Sequence, residues 1–92
     1  MHFVVTALDK DGALDVRKAN RDAHLAFLAD NAVKVKIAGP LLEGDNMIGS
    51  LLIVEADSRE AVEAMLAEDP YAKADLFQDV TIRSWKWAVD NQ

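Results

Sequence analysis

The hydrophobic period of this chain switches repeatedly between two residues, the repeat of a β-strand, and about 3.6 residues, the repeat of an α-helix. Residues 3–8 form a β-branched and aromatic run closed by turn-forming residues 9–12, which predicts a first strand. From Ala13 to about Asn31 there is no Pro or Gly, which predicts a long helix. Its core-facing stripe is predicted to hold Leu14, Arg21, Leu25 and Leu28.

Two further strands are predicted to form a hairpin. Residues 33–38 alternate apolar and basic side chains, which turns Val33, Val35 and Ile37 toward the core. The pair Gly39-Pro40 is predicted to end this strand, and residues 43–49 have the composition of a turn. Residues 50–55 carry apolar side chains at both odd and even positions, and therefore on both faces, as expected of a central strand.

A second helix and a last strand complete the pattern. Asp57 is the predicted N-cap, with Glu60 three residues later, and the helix runs to about Glu68. Its apolar face is predicted to hold Ala61, Val62, Met65 and Leu66. Asp69-Pro70 ends the helix, residues 71–77 suit one or two helical turns, and residues 80–85 alternate again as a strand.

The order βαββαβ predicts an α+β chain with the ferredoxin-like arrangement. Right-handed crossovers place the strands in a four-stranded antiparallel sheet with both helices on one face. The 92 residues suffice for a single domain, spanning 1–92. Because the other sheet face would expose apolar area to water, we expect two chains to pack sheet to sheet as a homodimer.

The composition disfavours several functional classes. Ten Lys and Arg against sixteen Asp and Glu give a net charge of −6, so nucleic acid is not an expected partner. With no cysteine there is no thiolate metal site, and the two distant histidines match no familiar ligand spacing. Glycines 39, 44 and 49 are too dispersed for a phosphate-binding loop, so we predict neither metal nor cofactor. No segment has the length or flanks of a membrane span or leader, so we expect no membrane partner and a cytoplasmic location.

His24 is the first candidate for chemistry. It lies on the long helix, three residues after Arg21 and four before Leu28, at the border of the core-facing stripe. Histidine is the side chain that changes charge near neutral pH, which suits proton transfer. A partly buried histidine that only bonds a neighbouring backbone group fits the spacing equally well. His2, beside the terminus, is interpreted as structurally idle.

Asp69 is the second candidate. An Asp before Pro at a helix end commonly accepts backbone N–H groups as the chain turns. In the βαββαβ layout, however, the end of the second helix can approach the middle of the first, where His24 lies. A carboxylate there would orient the imidazole and make it a better general base.

Four other side chains are candidates for binding a substrate: Arg21, Ser50, Tyr71 and Trp85. Arg21 would supply positive charge to an anionic group or an enolate-like intermediate, or would merely pair with a surface acid. Ser50 lies outside any Gly-x-Ser-x-Gly elbow, so a hydrolase is disfavoured and an ordinary strand role stays open. Tyr71 and Trp85 would line an aromatic pocket or pack in the core or dimer interface.

Five segments together resemble the YCII-related (YciI-like) family: residues 21–28, 38–41, 49–56, 69–71 and 76–85. The resemblance covers nearly the whole chain. It implies a ferredoxin-like dimeric α/β-barrel and an active-site pair of histidine and aspartate, which correspond to His24 and Asp69. It also implies a shape similar to muconolactone isomerases, and one branch of the family is assigned as a dehydrochlorinase of chlorinated hydroxyhydroquinones.

The residues and the resemblance together lead to two functional hypotheses. The first is a small lyase- or isomerase-like enzyme in which His24, oriented by Asp69, moves a proton on a small cyclic or carbonyl-bearing substrate. The second is a non-catalytic dimeric module that binds a small molecule or a partner protein in the same cleft. The fold does not distinguish them, because one fold hosts many functions.

Overall fold

The structure of the chain, a computed structural model, describes residues 1–91 and has the predicted order of elements, including a helical turn after Asp69. The elements are β1 His2–Asp9, α1 Leu14–Asp30, β2 Val35–Glu43, β3 Asn46–Glu55, α2 Arg59–Ala67, α3 Pro70–Lys73 and β4 Phe77–Trp85. The strands form one antiparallel sheet in the order β2-β3-β1-β4. The predicted ferredoxin-like α+β fold is confirmed.

The core lies between one face of this sheet and the helices. Val5 pairs with Leu52 of β3 on one side and with Ile82 of β4 on the other, so the three side chains share a face. They are buried together with Val62 and Met65 of α2. Partly buried side chains of α1, β2, α2 and the segment between β3 and α2 complete this core: Phe27, Leu28, Val35, Ala56 and Leu66.

The opposite sheet face carries the alternate residues of the same strands. Val4 of β1 pairs with Ile53 of β3 and Thr6 with Leu51, so these four side chains point away from the helix side. We call this surface, together with Ile37 of β2, the open face. Within residues 1–91, no helix reaches the length and hydropathy needed to cross a bilayer.

The predicted hairpin was wrong in its boundaries. Gly39-Pro40 does not end the second strand, since β2 continues to Glu43 and Pro40 pairs with Ser50. Proline is tolerated there because β2 is an edge strand and has a partner on one side only. The turn is only two residues long, with Gly44 at φ +60°, and Val33 lies outside the strand with 83% of its surface exposed.

Two helix predictions were also wrong in detail. The buried side chains of α1 are Arg17 and His24, whereas Leu25 is 47% exposed and Arg21 is exposed. The apolar stripe predicted the wrong inward face, because this helix turns charged and polar groups inward, where they bond side chains of β1 and β3 and the N-cap of α3. The N-cap of α2 is Ser58 rather than Asp57, and its hydroxyl accepts a hydrogen bond from the Ala61 amide.

Gly49 occupies a position in β3 that has no room for a side chain. A Cβ there would collide with the backbone carbonyl oxygen of Ala7 and lie 3.2 Å from Leu41 Cδ1. We expect Gly49→Ala to lower the free energy of unfolding by about 1–3 kcal/mol, because the paired strands must separate to admit the methyl group. Gly39→Ala is the matched control, since a Cβ at Gly39 meets nothing within 4 Å. Urea denaturation measures both, and equal losses in the two variants would contradict the steric argument.

Candidate active site

His24 and Asp69 meet at the junction of α1 with α3. His24 Nδ1 lies 2.9 Å from Asp69 Oδ1, and the two side chains are only 9% and 3% exposed. The same Oδ1 accepts the Tyr71 amide at 2.9 Å, which makes Asp69 the N-cap of α3. One oxygen atom of Asp69 therefore both caps α3 and contacts the imidazole.

This contact decides which ring nitrogen of His24 is available to a ligand. The carboxylate oxygen accepts, so Nδ1 carries the proton and Nε2 holds the lone pair of the neutral ring. Throughout the part of the chain that the structure describes, no fully buried side-chain nitrogen or oxygen lacks a partner. Because Nε2 of His24 has no hydrogen-bond partner among these residues, it is not fully buried and must reach solvent. The arrangement is that of an oriented general base, and its catalytic role remains a prediction.

Tyr71 fixes the plane of the imidazole. Its ring stacks on His24 with centroids 4.0 Å apart and 15° between the planes. Phe77 contacts the same ring edge to face at 6.1 Å. Tyr71 is 1% exposed, so this support is rigid.

A second buried ion pair lies beside the first. Arg17 Nε donates to Asp9 Oδ2 at 2.6 Å and Arg17 Nη2 donates to Oδ1 at 3.0 Å, with side chains 3% and 5% exposed. Arg17 Nη2 also donates to Ser50 Oγ at 2.7 Å, and the guanidinium lies 4.6 Å from the centroid of the Tyr71 ring. Burial by itself would lower the pKa of Arg17, but the hydrogen bond and charge of Asp9 outweigh it and raise that pKa.

Neither Asp9 nor Arg17 was among the predicted site residues. The sequence pattern places Asp9 in a turn and does not indicate that Arg17 is buried. One signal could have found Arg17: it lies seven residues before His24, two helical turns away, and therefore shares its face of the helix.

These side chains line a cleft of about 230 Å³ between α1, α3 and the β2–β3 hairpin. The lining residues are Arg17, Arg21, His24, Leu25, Leu28, Ala38, Gly39, Pro40, Met47, Ser50 and Tyr71. The structure thus brings together Arg21, His24, Ser50 and Tyr71 at one cleft, with Asp69 bonded to His24.

Trp85 is not part of this cleft. It pairs with His2 at the opposite end of β1 and contacts the rings of His2 and Trp87 edge to face, at 6.4 Å and 4.8 Å. The other end of β1 carries Asp9 and Ala7, and Ala7 pairs with Ser50 of β3. Within the chain, Trp85 therefore lies too far along the sheet to contact a ligand held by His24.

Two guanidinium groups, Arg17 and Arg21, line the cleft in a chain whose net charge is −6. Because Asp9 compensates the charge of Arg17, the positive charge that the cleft offers comes from Arg21. In the described residues, no group of three His, Asp or Glu side chains is arranged to hold a metal ion.

Burial raises the pKa of the Tyr71 hydroxyl above its ordinary 10.0, with Asp69 adding to the shift and the charges of Arg17 and Arg21 opposing it. Tyr71 is the only tyrosine, so absorbance titration of the folded protein reports it alone. We expect its midpoint above 10.0, and a free energy of unfolding that falls as pH rises from 10.0 through that midpoint, because the unfolded chain ionises first. A midpoint at or below the ordinary value would contradict the burial of this hydroxyl.

Comparison with known proteins identifies the family of the chain. The model of the YCII-related domain matches residues 1–86. The chain belongs to the YCII-related family. Among its relatives, Protein YciI of Escherichia coli O6:H1 is 33% identical over 95 aligned residues, which cover 94% of this chain and 97% of that protein. An uncharacterized protein of Haemophilus influenzae is 30% identical over the same length with the same coverage.

Solved structures add to the comparison. The 5-chloro-2-hydroxyhydroquinone dehydrochlorinase TftG of Burkholderia phenoliruptrix AC1100, in complex with 2,5-dihydroxybenzoquinone, superimposes with a TM-score of 0.89. It is 37% identical, and the match covers 94% of each chain. SnoaB, a cofactor-independent oxygenase of Streptomyces nogalater, shares the fold alone, with a TM-score of 0.59, 18% identity and coverage of 96% and 95%.

Proposed function

We propose that this YCII-related protein is a small lyase- or isomerase-like enzyme that removes a proton from a small cyclic, oxygen-bearing substrate. The observation that carries the proposal is the His24 imidazole, which lines the cleft, is bonded at Nδ1 by Asp69 and has no hydrogen-bond partner at Nε2 within the described residues. Such a nitrogen accepts a proton without disturbing the bond that orients the ring. The dehydrochlorinase activity named for TftG, at 37% identity, supports the same class of chemistry.

The reaction we propose is an elimination. The substrate reacts as its diketo tautomer, in which His24 Nε2 takes a proton from an sp³ C–H bond next to a ring carbonyl, and that electron pair forms a new carbon–carbon double bond. The C–Cl bond on the adjacent carbon breaks, and chloride leaves with its electron pair. With no leaving group, the same first step gives an enolate, and returning the proton to another carbon is an isomerisation. Arg21 would supply positive charge for the oxygen that becomes negative.

The dimensions of the cleft limit the substrate. Its volume of about 230 Å³ is below the roughly 300 Å³ at which pockets for drug-sized ligands begin. A single six-membered ring with hydroxyl or carbonyl groups suits this space and the two arginines. Larger polycyclic substrates do not.

The test is turnover of 5-chloro-2-hydroxyhydroquinone by the purified protein, followed as release of chloride. We expect one chloride per substrate consumed, and competitive inhibition by 2,5-dihydroxybenzoquinone. A wild-type protein that binds the quinone without turnover of this substrate or its isomeric analogues would support the non-catalytic binding module instead. A protein that does neither would overturn the proposal.

We further propose that two chains pair through the open face. Val4, Ile37 and Leu51, which are partly exposed in the single chain, would be covered there by their counterparts, which removes apolar area from water. Sedimentation at micromolar concentration is expected to show a dimer for the wild type and for Val16→Glu on the outside of α1. Leu51→Glu is expected to sediment as a monomer, because it places a charge within the paired faces. A monomeric wild type would contradict this pairing.

A further inference from the structure

The Asp9–Arg17 ion pair has no evident reason to be buried on grounds of stability. Removing two charges from water is expensive, and buried pairs are often no more stabilising than apolar residues of similar volume. Both side chains are nevertheless almost fully buried, with Asp9 at the end of β1 and Arg17 on α1. The guanidinium has a third contact beyond the carboxylate, to Ser50 Oγ at 2.7 Å. That contact points to a role in the cleft.

The charge of Arg17 limits the directions in which the Ser50 hydroxyl can donate. An arginine side chain has donors only and stays protonated, so Ser50 Oγ must accept from it. A hydroxyl has one proton to donate, and it cannot donate that proton toward Arg17. Among residues 1–91, no acceptor bonds the Ser50 proton, and Ser50 lines the cleft. Its O–H is therefore a donor that the described residues leave unused beside the ligand space.

The cleft then offers two complementary groups, each held by its own buried carboxylate. Asp69 orients His24, which presents an acceptor at Nε2. Asp9 holds Arg17, which donates to Ser50 Oγ and leaves the Ser50 proton free to donate elsewhere. Tyr71 joins the two assemblies, since its ring stacks on His24 and contacts the Arg17 guanidinium.

We infer that Ser50 is the group that binds the substrate oxygen on which negative charge develops, and that Asp9 and Arg17 are positioning residues that act through it. The substrate class is a ring with a carbonyl or acidic hydroxyl next to the carbon that loses its proton. When His24 takes that proton, the electron pair spreads onto the oxygen, and the Ser50 hydrogen bond strengthens without proton transfer. This inference rests on the proposed function.

The first test replaces Ser50. We expect Ser50→Ala to lower kcat for 5-chloro-2-hydroxyhydroquinone by about 10²-fold with a much smaller change in KM, because the bond is strongest in the transition state. Ser50→Thr, which keeps the hydroxyl, is expected to recover most of the loss. Ser84→Ala removes a strand serine outside the cleft and is the matched control, expected to keep wild-type kinetics.

The second test asks whether Arg17 acts through Ser50. Arg17→Lys keeps the charge but loses the planar fork, so the hydroxyl is no longer held in one direction. We expect kcat to fall by up to about 10²-fold in the wild-type background. In the Ser50→Ala background the same substitution is expected to change kcat little, since the group it positions is already gone. A merely structural role for Arg17 would lower kcat by equal factors in both backgrounds.

The outcomes separate the two proposals. If the wild type turns over the substrate and Ser50→Ala has an unchanged kcat, the role of Ser50 and Arg17 is overturned but the proposed function is not. Multiplicative losses of kcat in the double variant would have the same consequence. A wild type with no turnover of the chlorinated substrate overturns the proposed function, and this inference with it. Thermal melts of each variant accompany the kinetics, so that a loss of folded protein is not scored as a loss of kcat.

Discussion

Replacing His24 by Gln is expected to lower kcat for the proposed elimination by about 10²–10⁴-fold, because the amide cannot accept the proton that the imidazole takes. Gln has similar length and can still donate to Asp69, so the buried carboxylate keeps a partner. The melting temperature should therefore change little. A steady-state assay of chloride release and a thermal melt on the same preparation measure both quantities.

Asp69→Asn is the companion variant. Asn is as good an N-cap as Asp, so it should still accept the Tyr71 amide and leave α3 intact. It does not enforce the Nδ1–H tautomer, because its amide can donate as well as accept. We expect the ¹⁵N chemical shifts of His24 to show a protonated Nδ1 and a bare Nε2 in the wild type, and a mixture of tautomers in Asp69→Asn, with reduced kcat.

A structural histidine would give the opposite pattern. His24→Gln would then lower the melting temperature clearly and leave the kcat of the remaining folded protein unchanged. Identical ¹⁵N shifts in the wild type and in Asp69→Asn would show that the carboxylate does not select the tautomer. Either result would remove His24 from the proposed mechanism.

The largest effect on stability is expected from Asp9→Asn. This change leaves the Arg17 guanidinium almost fully buried without a compensating charge, so the free energy of unfolding should fall by about 3–5 kcal/mol. Such a loss is a large share of the roughly 5–15 kcal/mol that holds a small domain folded. Urea denaturation followed by circular dichroism measures it.

Asp75→Asn is the matched control, since it removes the same charge from a surface pair. Lys10 Nζ lies 2.6 Å from Asp75 Oδ2, with side chains 42% and 85% exposed. Water screens this pair, so its loss should cost less than about 1 kcal/mol. The double substitution Asp9→Leu with Arg17→Met should be less destabilising than Asp9→Asn alone, because it removes both charges. Equal losses in Asp9→Asn and Asp75→Asn would contradict the account of the buried pair.

The architecture was predictable because it rests on local periodicity. The alternation in residues 80–85 and the apolar run in residues 50–55 both correspond to strands, and the second helix has its buried face at Val62 and Met65. Each of these signals depends only on neighbours along the chain. With six elements in the order βαββαβ, the handedness of crossovers leaves few topologies, and the ferredoxin-like sheet is one of them.

Boundaries were less predictable, since they depend on the neighbours of a strand. Pro40 breaks a strand that is paired on both sides but is accommodated in β2, whose edge position follows only from the assembled sheet order. The inward face of α1 was mispredicted for a related reason. A hydrophobicity pattern places Arg17 in water, whereas the carboxylate of Asp9 and the hydroxyl of Ser50 make its burial possible.

The sequence by itself therefore determined the secondary-structure types, their order and the identity of His24 and Asp69 as candidates. The tertiary structure alone decided which groups meet. His24 and Asp69 are 45 residues apart and Arg17 and Ser50 are 33 apart, so no local pattern reports either contact. Each is a hydrogen bond between polar atoms that water would otherwise satisfy. Only the packing of α1 against α3 and the sheet removes that water and fixes the directions of the bonds.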